Sequence, residues 1–294
     1  MIDVSIIIIS YNTKDFLKKC LDAVLTHPPK NFGFEVIVVD NNSKDESVAL
    51  IKKEFSKVLL IENKENYGFS KANNIGVKKA KGRYILFLNS DTEVSVDTFD
   101  VMIAFMDAHK DAGAATCKLV MPNGKIDDAS HRGFPTPWNA LTHFSGIAKL
   151  FPNSKRLNGY NLAWIDLDKI HQIEALAGAF MLVRREAGEQ AGWWDEQYFF
   201  YGEDLDFCYV LKQKGWNIYY VPTTEVLHYK GISGGIKEVS KHHTPASLET
   251  QKKATQARFD AMRIFYKKHY KNKYPYFVTW MVMKAIDIKH HFFH

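Results

Sequence analysis

Cysteine is scarce in this chain. Cys20, Cys117 and Cys208 are the only three in 294 residues, far apart and without metal-ligand spacing. That excludes a disulfide-stapled scaffold and predicts buried free thiols in a reducing compartment. Long hydrophobic runs are lacking too. The run at 6–9 is too short for the apolar core of a signal peptide, and no basic segment precedes it. No stretch reaches the ~20 apolar residues that cross a bilayer. Together these absences predict a cytoplasmic protein. A glycine-rich dinucleotide fingerprint is also missing: Ser10-Tyr11-Asn12-Thr13 stands after the first apolar run, where a nicotinamide dehydrogenase would carry Gly-x-Gly-x-x-Gly. No nucleic-acid module is recognisable, so the net charge of +6 does not predict a nucleic-acid partner.

What is present is a regular alternation. Residues 4–9 form a continuous β-branched run, suited to a strand buried on both faces of a parallel sheet. Phe16, Leu17, Cys20, Leu21, Val24 and Leu25 follow at helical spacing. Further strands are predicted at 36–39, 58–61, 84–88, 114–120, 176–183 and 217–221. Helices are predicted at 71–80 (stopping at Gly82), 98–109 and 203–214, and Ser43 with Glu46 reads as a capping box for another. Residues 122–168 break the pattern, with Pro, Gly, Asn and aromatics and little periodicity. A segment that long inside one domain reads as a functional excursion. The alternation predicts an α/β protein built on a doubly wound sheet. Ligands of such sheets gather where the strands end. Ser10, Tyr11 and Asn12, then Asp40 with Asn42, then the loop 63–73, then Asn89, Ser90 and Asp91 all fall at such ends.

The chemistry of those ends suits a metal-bound diphosphate. Gly68 lets backbone approach a ligand closely. Ser70 and Asn73 carry hydrogen-bonding groups onto the helix that follows. Asp91 is a lone carboxylate beside an amide. Taken alone, Asp40 reads equally as a turn acid and the loop as a capped helix start.

The stretch Glu65-Asn66-Tyr67-Gly68-Phe69-Ser70-Lys71-Ala72-Asn73-Asn74-Ile75-Gly76, with Asn89-Ser90-Asp91, with Ala177-Gly178-Ala179-Phe180, and with Gly192-Trp193-Trp194-Asp195 leading to Gly202-Glu203-Asp204-Leu205-Asp206-Phe207, resembles glycosyltransferase family 2, the inverting transferases of GT-A fold. The resemblance runs from about residue 4 to 230. It implies a GT-A type doubly wound mixed sheet, with a nucleotide-sugar half over 1–120, an acceptor half over 121–235 and a helical, basic-aromatic tail over 236–294. It implies that Ser10, Tyr11, Asn12, Asp40, Asn42, Gly68, Ser70, Asn73, Asn89, Ser90 and Asp91 bind a nucleotide-sugar. Asp91 is then the last residue of the family's DxD motif, and this chain has Asn89 where the first carboxylate usually stands.

His228, after the 217–221 strand, matches the position whose histidine often joins Asp91 on Mg2+ or Mn2+; on residues alone it reads equally as a structural histidine. By the family's pattern Asp204 is the base that takes the acceptor proton, with Glu203 beside it. Trp193, Trp194 and Asp195 are implied on the acceptor side, Asp195 also as a rival base and one tryptophan as core. Ser130-His131-Arg132-Gly133-Phe134-Pro135 resembles the rhamnosyltransferase-like members. His131 and Arg132 are implied at donor or lipid-linked phosphates, or else in a mobile loop.

The implied reaction is transfer from a dTDP- or UDP-linked sugar, dTDP-L-rhamnose favoured, to a glycan or polyprenyl-diphosphate-glycan acceptor of bacterial cell-surface polysaccharide synthesis. A non-catalytic scaffold derived from a transferase is the other reading, prompted by Asn89. The tail, with Tyr276, Phe277, Trp280, Met281, Met283, Ile286 and Ile288 near Lys267, Lys268, Lys271, Lys273 and Lys284, reads as a membrane-surface helix at the inner face of the plasma membrane, as a helix docked on the catalytic domain, or as a homodimer contact.

Overall fold

A computed structural model describes residues 1–237 and 244–292. Strands are β1 Val4–Ser10, β2 Phe34–Asp40, β3 Leu59–Glu62, β4 Tyr84–Asn89, β5 Thr92–Val94, β6 Ala112–Val120, β7 His171–Ile173, β8 Phe180–Arg184 and β9 Asn217–His228. Helices are α1 Lys14–Thr26, α2 Ser47–Glu54, α3 Phe69–Val77, α4 Thr98–Ala108, α5 Pro137–Phe144, α6 Ile147–Leu150, α7 Arg185–Ala191, α8 Glu203–Gln213, α9 Leu248–His269 and α10 Tyr276–Phe292.

The strands make one mixed sheet in the order β3-β2-β1-β4-β8-β6-β9-β5, with β7 pairing the outer part of β9. β1 to β4 are parallel, as their apolar runs alternating with helices predict. β8 enters between β4 and β6, antiparallel to both. Successive residues of β1 and β2 feed opposite layers. Ile6, Ile8, Val36 and Val38 join a core with α1, α2 and α4, whereas Ile7, Ile37 and Val39 join one with α3, α8 and α9. Helices on both faces explain why these strands are apolar at every position rather than at every second one.

Four local expectations are corrected. The Ser43–Glu46 capping box does not form. Ser43 Oγ instead accepts from the Asn12 amide, and Asp45 receives the Ser47 amide at the start of α2. The helix expected over 71–80 starts at Phe69 and ends at Val77. Gly82 is needed for close approach instead, since a Cβ there would sit 2.6 Å from the Ser5 amide nitrogen. The strand expected from 176 starts only at Phe180. The 122–168 excursion carries α5, α6 and a single 3-10 turn at Asp128–Ser130.

α9 belongs to the packed body. Ala254, Phe259, Ala261, Phe265 and Tyr266 are buried. Asp206 of α8 accepts from His269 at 2.6 Å, from Lys268 at 2.8 Å and from the Tyr198 hydroxyl at 3.1 Å. α10 buries none of its residues. It is tied to α9 through Arg263 to Asp287 at 2.9 Å, and to α5 through Lys289, whose ammonium lies 3.3 Å from the centre of the Phe144 ring. No described helix is long and apolar enough to cross a membrane. Parts of the tail expected over 236–294, namely 238–243 and 293–294, lie outside the described residues.

Candidate active site

The carboxyl ends of β1, β2 and β4 lie side by side, because the register pairs Ser10 with Asp40 and Ile9 with Asn89. The loops leaving them are locked together by polar contacts. Asn41 donates from Nδ2 to Gly68 O at 3.1 Å and accepts from Asn63 Nδ2 at 2.8 Å, so the end of β2 holds the loop before α3. Gly68 has φ +79°, and a Cβ on it would meet Phe199 O at 2.5 Å. Only glycine brings this loop so close to the acceptor half. Asp40 is buried. Its Oδ1 accepts from the Ser43 amide at 2.8 Å, while its Oδ2 has no partner. Burial raises its carboxyl above the usual range. An unsatisfied buried acceptor is costly unless a ligand completes it.

Tyr11, Gly68, Asn89, Ser90, Asp91, Glu203, Asp204 and His228 all open on one cavity of about 1620 Å3. Asn41 lines it where Asn42 does not, and sequence reasoning had singled out Asn42. Ser10, Asn12 and Asp40 do not line the cavity. Ser70 and Asn73 are fully buried beneath the loop, Ser70 Oγ and Asn73 Oδ1 without partners. Trp194 is buried against Phe87, Phe69 and Phe207, and Trp193 stacks beside Phe207. Both tryptophans thus serve the core, and neither lines the cavity. Asp195 is likewise set apart, paired with Lys268 of α9 at 2.6 Å.

Asp91 follows β4 directly and His228 ends β9. The β5–β9 pairing, with Thr92 opposite His228, brings them together from 137 positions apart in the chain. His228 Nε2 is 3.5 Å from Asp91 Oδ1 and has no hydrogen-bond partner, whereas Nδ1 contacts Asp127 Oδ2 at 2.8 Å. Asp127 also pairs with Lys230. Burial opposes a charged imidazole, yet the Asp91 and Asp127 carboxylates outweigh it and lift His228 to about 9. Burial likewise opposes ionisation of Asp91 and Asp127, and the His228 charge lowers both below the usual carboxylate range.

One carboxylate and a ring nitrogen whose other nitrogen is fixed by a second carboxylate could together hold a divalent cation, once the imidazole gives up its proton. Such a pair is compatible with a divalent cation completed by ligand oxygens. Among the described residues no group of three or more such side chains is placed to hold a metal. The fit is with a two-residue set, completed by ligand oxygens and water. Asp127 and Asn41 were missed by the sequence reading. The signal available for Asp127 was local: it caps the 3-10 turn by accepting the Ala129 amide at 2.9 Å.

Glu203 and Asp204 begin α8, and their surroundings differ. Asp204 Oδ2 receives Arg132 Nη2 at 2.6 Å. Arg132 also donates to Leu176 O at 3.1 Å, and its backbone pairs with Ala175. The loop after β6 thus delivers a guanidinium to the expected base. His131 instead turns inward against Tyr220, and burial pulls it down to about 4. Glu203 is buried with Oε2 unpartnered, and burial, then the Asp204 charge, push it up to about 8. Two adjacent carboxyl groups in such different surroundings, one bonded to Arg132 and one buried without a partner, suit two different roles.

Glu203 has a consequence for stability. Its ordinary value is 4.5, and its folded value is about 8. The folded state therefore binds this proton more tightly, and stability falls as pH rises from about 5 to 8. Glu203→Gln removes that slope. At pH 9 the variant should be more stable than the parent by several kcal/mol, with little gain at pH 5. Urea melts at the two pH values test this, and an equal change at both would refute it.

The fold is that of a GT-A transferase. The crystal structure of GalNAc-T7 with UDP, GalNAc and Mn2+ superposes with a TM-score of 0.58 at 18% identity, over 78% of this chain and 44% of that one. The family model for glycosyl transferase family 2 matches residues 5–165, and the chain belongs to that family. It is a glycosyltransferase of the rhamnosyltransferase-like group. The rhamnosyltransferase WbbL of Escherichia coli is 29% identical over 77% of this chain and 83% of its own length. The N-acetylglucosaminyl-diphospho-decaprenol L-rhamnosyltransferase of Mycobacterium tuberculosis is 25% identical over 71% of each.

Proposed function

We propose that the protein transfers a deoxyhexose, L-rhamnose from its dTDP form in preference to a UDP-hexose, onto a hydroxyl of a polyprenyl-diphosphate-linked glycan, with inversion at the anomeric carbon, in cell-surface polysaccharide synthesis. The observation that carries this reading is the opening of Asp91, His228, Glu203 and Asp204 onto one cavity. The nucleoside would lie over Tyr11 and Asn41, with Asp40 Oδ2 behind them available to a ring N–H or ribose hydroxyl. Asp91 and His228 would hold a divalent cation, which when bound supplies positive charge for the diphosphate leaving group. Asp204 would receive the acceptor proton as the hydroxyl attacks from the face opposite that leaving group. Arg132, bonded to Asp204, fixes its orientation.

The test is a panel of nucleotide-sugars with the purified protein. We expect dTDP-L-rhamnose to raise the melting temperature when Mn2+ is present and to be slowly hydrolysed, and both effects to vanish with EDTA. A panel in which no nucleotide-sugar binds would remove the proposal. A UDP-hexose that outperforms dTDP-rhamnose would redirect the sugar assignment alone.

A place at the inner face of the plasma membrane fits such an acceptor. Phe277, Trp280, Lys284 and Ile288 form one stripe of α10, and Tyr276, Phe277 and Trp280 are 83%, 61% and 54% exposed. Leu150 and Phe151 beside α6 are exposed as well. Aromatic side chains with lysines nearby suit the headgroup region of an anionic bilayer. In flotation with phosphatidylglycerol vesicles the protein should bind, and the double change Phe277→Ser with Trp280→Ser should weaken binding about tenfold. Undiminished binding by the double variant would place the contact elsewhere.

A further inference from the structure

The cavity is larger than its polar end requires. Single small-molecule sites usually fall between about 300 and 1,000 Å3, and this one has about 1620 Å3. Asp91, His228, Glu203 and Asp204 occupy part of its wall. Another part consists of α5, α9 and α10 and carries an apolar strip flanked by polar side chains such as Gln256 and Asp260. From α10 it takes Val278, Val282, Ala285, Ile286 and Lys289, positions that fall on one helical stripe. This stripe is separate from the one that carries Phe277 and Trp280. From α9 it takes Ala254, Ala257 and Ala261, whose small side chains leave a trough between the two helices. Neither a nucleoside diphosphate nor a hydrophilic glycan matches the apolar strip itself.

Cations also line this cavity. Arg258 of α9 has no carboxylate partner among the described residues, and Lys237 and Lys289 line the same space. Burial, and next the Arg258 charge, pull both lysines down to about 8. Crowded cations beside an apolar trough complement a ligand with a compact polyanionic head and a long hydrocarbon chain.

We infer that the α5–α9–α10 part of the cavity seats the isoprenoid chain of the acceptor, with Arg258 and the neighbouring lysines at its diphosphate. This rests on the transferase reading and adds to it a lipid subsite continuous with the catalytic carboxylates. The chain would anchor a hydrophilic acceptor so that its sugar reaches Asp204, and affinity would grow with the apolar surface buried.

Isoprenyl diphosphates of five, ten, fifteen and twenty carbons test this without any assumption about the sugars. Their binding to the full chain is measured by calorimetry in metal-free buffer, so that no cation draws the diphosphate to Asp91. We expect affinity to rise about threefold or more per isoprene unit, and inorganic diphosphate to bind most weakly. Ala285→Trp, on a helix with no buried residue, should fill the trough and bring the twenty-carbon ligand down to the level of the five-carbon one. Arg258→Gln should weaken all four by a similar factor.

A flat series, or an undiminished chain-length dependence in Ala285→Trp, overturns the subsite. Equal binding of a lysophospholipid overturns its assignment to an isoprenoid. A concentration-dependent dimer abolished by Ala285→Trp would give the trough to a second copy and overturn it too. A parallel titration with dTDP and Mn2+ keeps the two readings apart: failure there removes the transferase proposal, whereas failure of the series removes only the subsite.

Discussion

Asp204→Asn should abolish sugar transfer while leaving the donor in place. The substitution keeps the shape of the side chain and its acceptor for the Leu205 amide, which now lies 2.7 Å from Oδ1. It removes the only property a general base needs, a carboxylate able to take a proton. General-base contributions run to about a hundred- to ten-thousandfold, so kcat should fall by roughly a thousandfold. Affinity for dTDP or dTDP-rhamnose should stay within about twofold, because the proposed base would act on the acceptor hydroxyl and not on the nucleotide. A stability cost of about 1–3 kcal/mol should accompany this, since Arg132, its side chain 13% exposed, loses its partner. Melting curves measured beside the kinetics separate the two effects. If the variant transfers sugar at the parental rate, the base lies elsewhere. Glu203 would be the next candidate, and Glu203→Gln would then be the inactive protein. Asp195 is a weaker alternative, since it is held by Lys268 and does not line the cavity.

Asp91→Asn should act on the donor side with an effect of similar size. Asp91 is 4% exposed and receives the Ile232 amide on Oδ2 at 3.2 Å, which leaves Oδ1 toward His228. An amide in its place keeps the packing and loses the negative charge. With Asn89 already standing where the family usually has a carboxylate, no second acid in Asn89-Ser90-Asp91 can take over. Mn2+ affinity in the presence of dTDP should drop by at least about tenfold and transfer by about a thousandfold. Paramagnetic resonance of free Mn2+ reads the first independently of activity. Asp127→Asn should weaken Mn2+ less, because it frees the His228 ring without removing a proposed ligand. An Asp91→Asn protein that binds Mn2+ and transfers normally would show that this chain works without the cation.

Much of this was legible without coordinates. The apolar runs that became β1, β2 and β4 read as strands covered on both faces, and polar residues at their ends had to meet, since parallel strands bring their carboxyl ends to one edge. Gly68 and Asp91 fall at or just after such ends, whereas Glu203, Asp204 and His228 were singled out by the resemblance to glycosyltransferase family 2. Asn41 and Asn42 were not distinguishable by residue type; the turn geometry aims the first at Gly68 and the second at Lys44. Trp193 and Trp194 suited a sugar platform and the core equally well. The choice fell to Phe87 and Phe207, which come from other elements. The segment 122–168 was the least readable. Its periodicity is weak, and its key residues act through partners far away: Asp127 through His228, 101 positions on, and Arg132 through Asp204, 72 positions on.

The sequence alone settled the kind of sheet and the family, because hydrophobic periodicity and loop chemistry are local properties that survive without knowledge of neighbours. Only the tertiary structure decided which side chains share the cavity, that α9 is bound into the catalytic body through Asp206, and that α10 turns one stripe inward to the cavity and another outward. Those outcomes depend on contacts between segments brought together by folding, and no stretch of chain encodes its partner's position by itself.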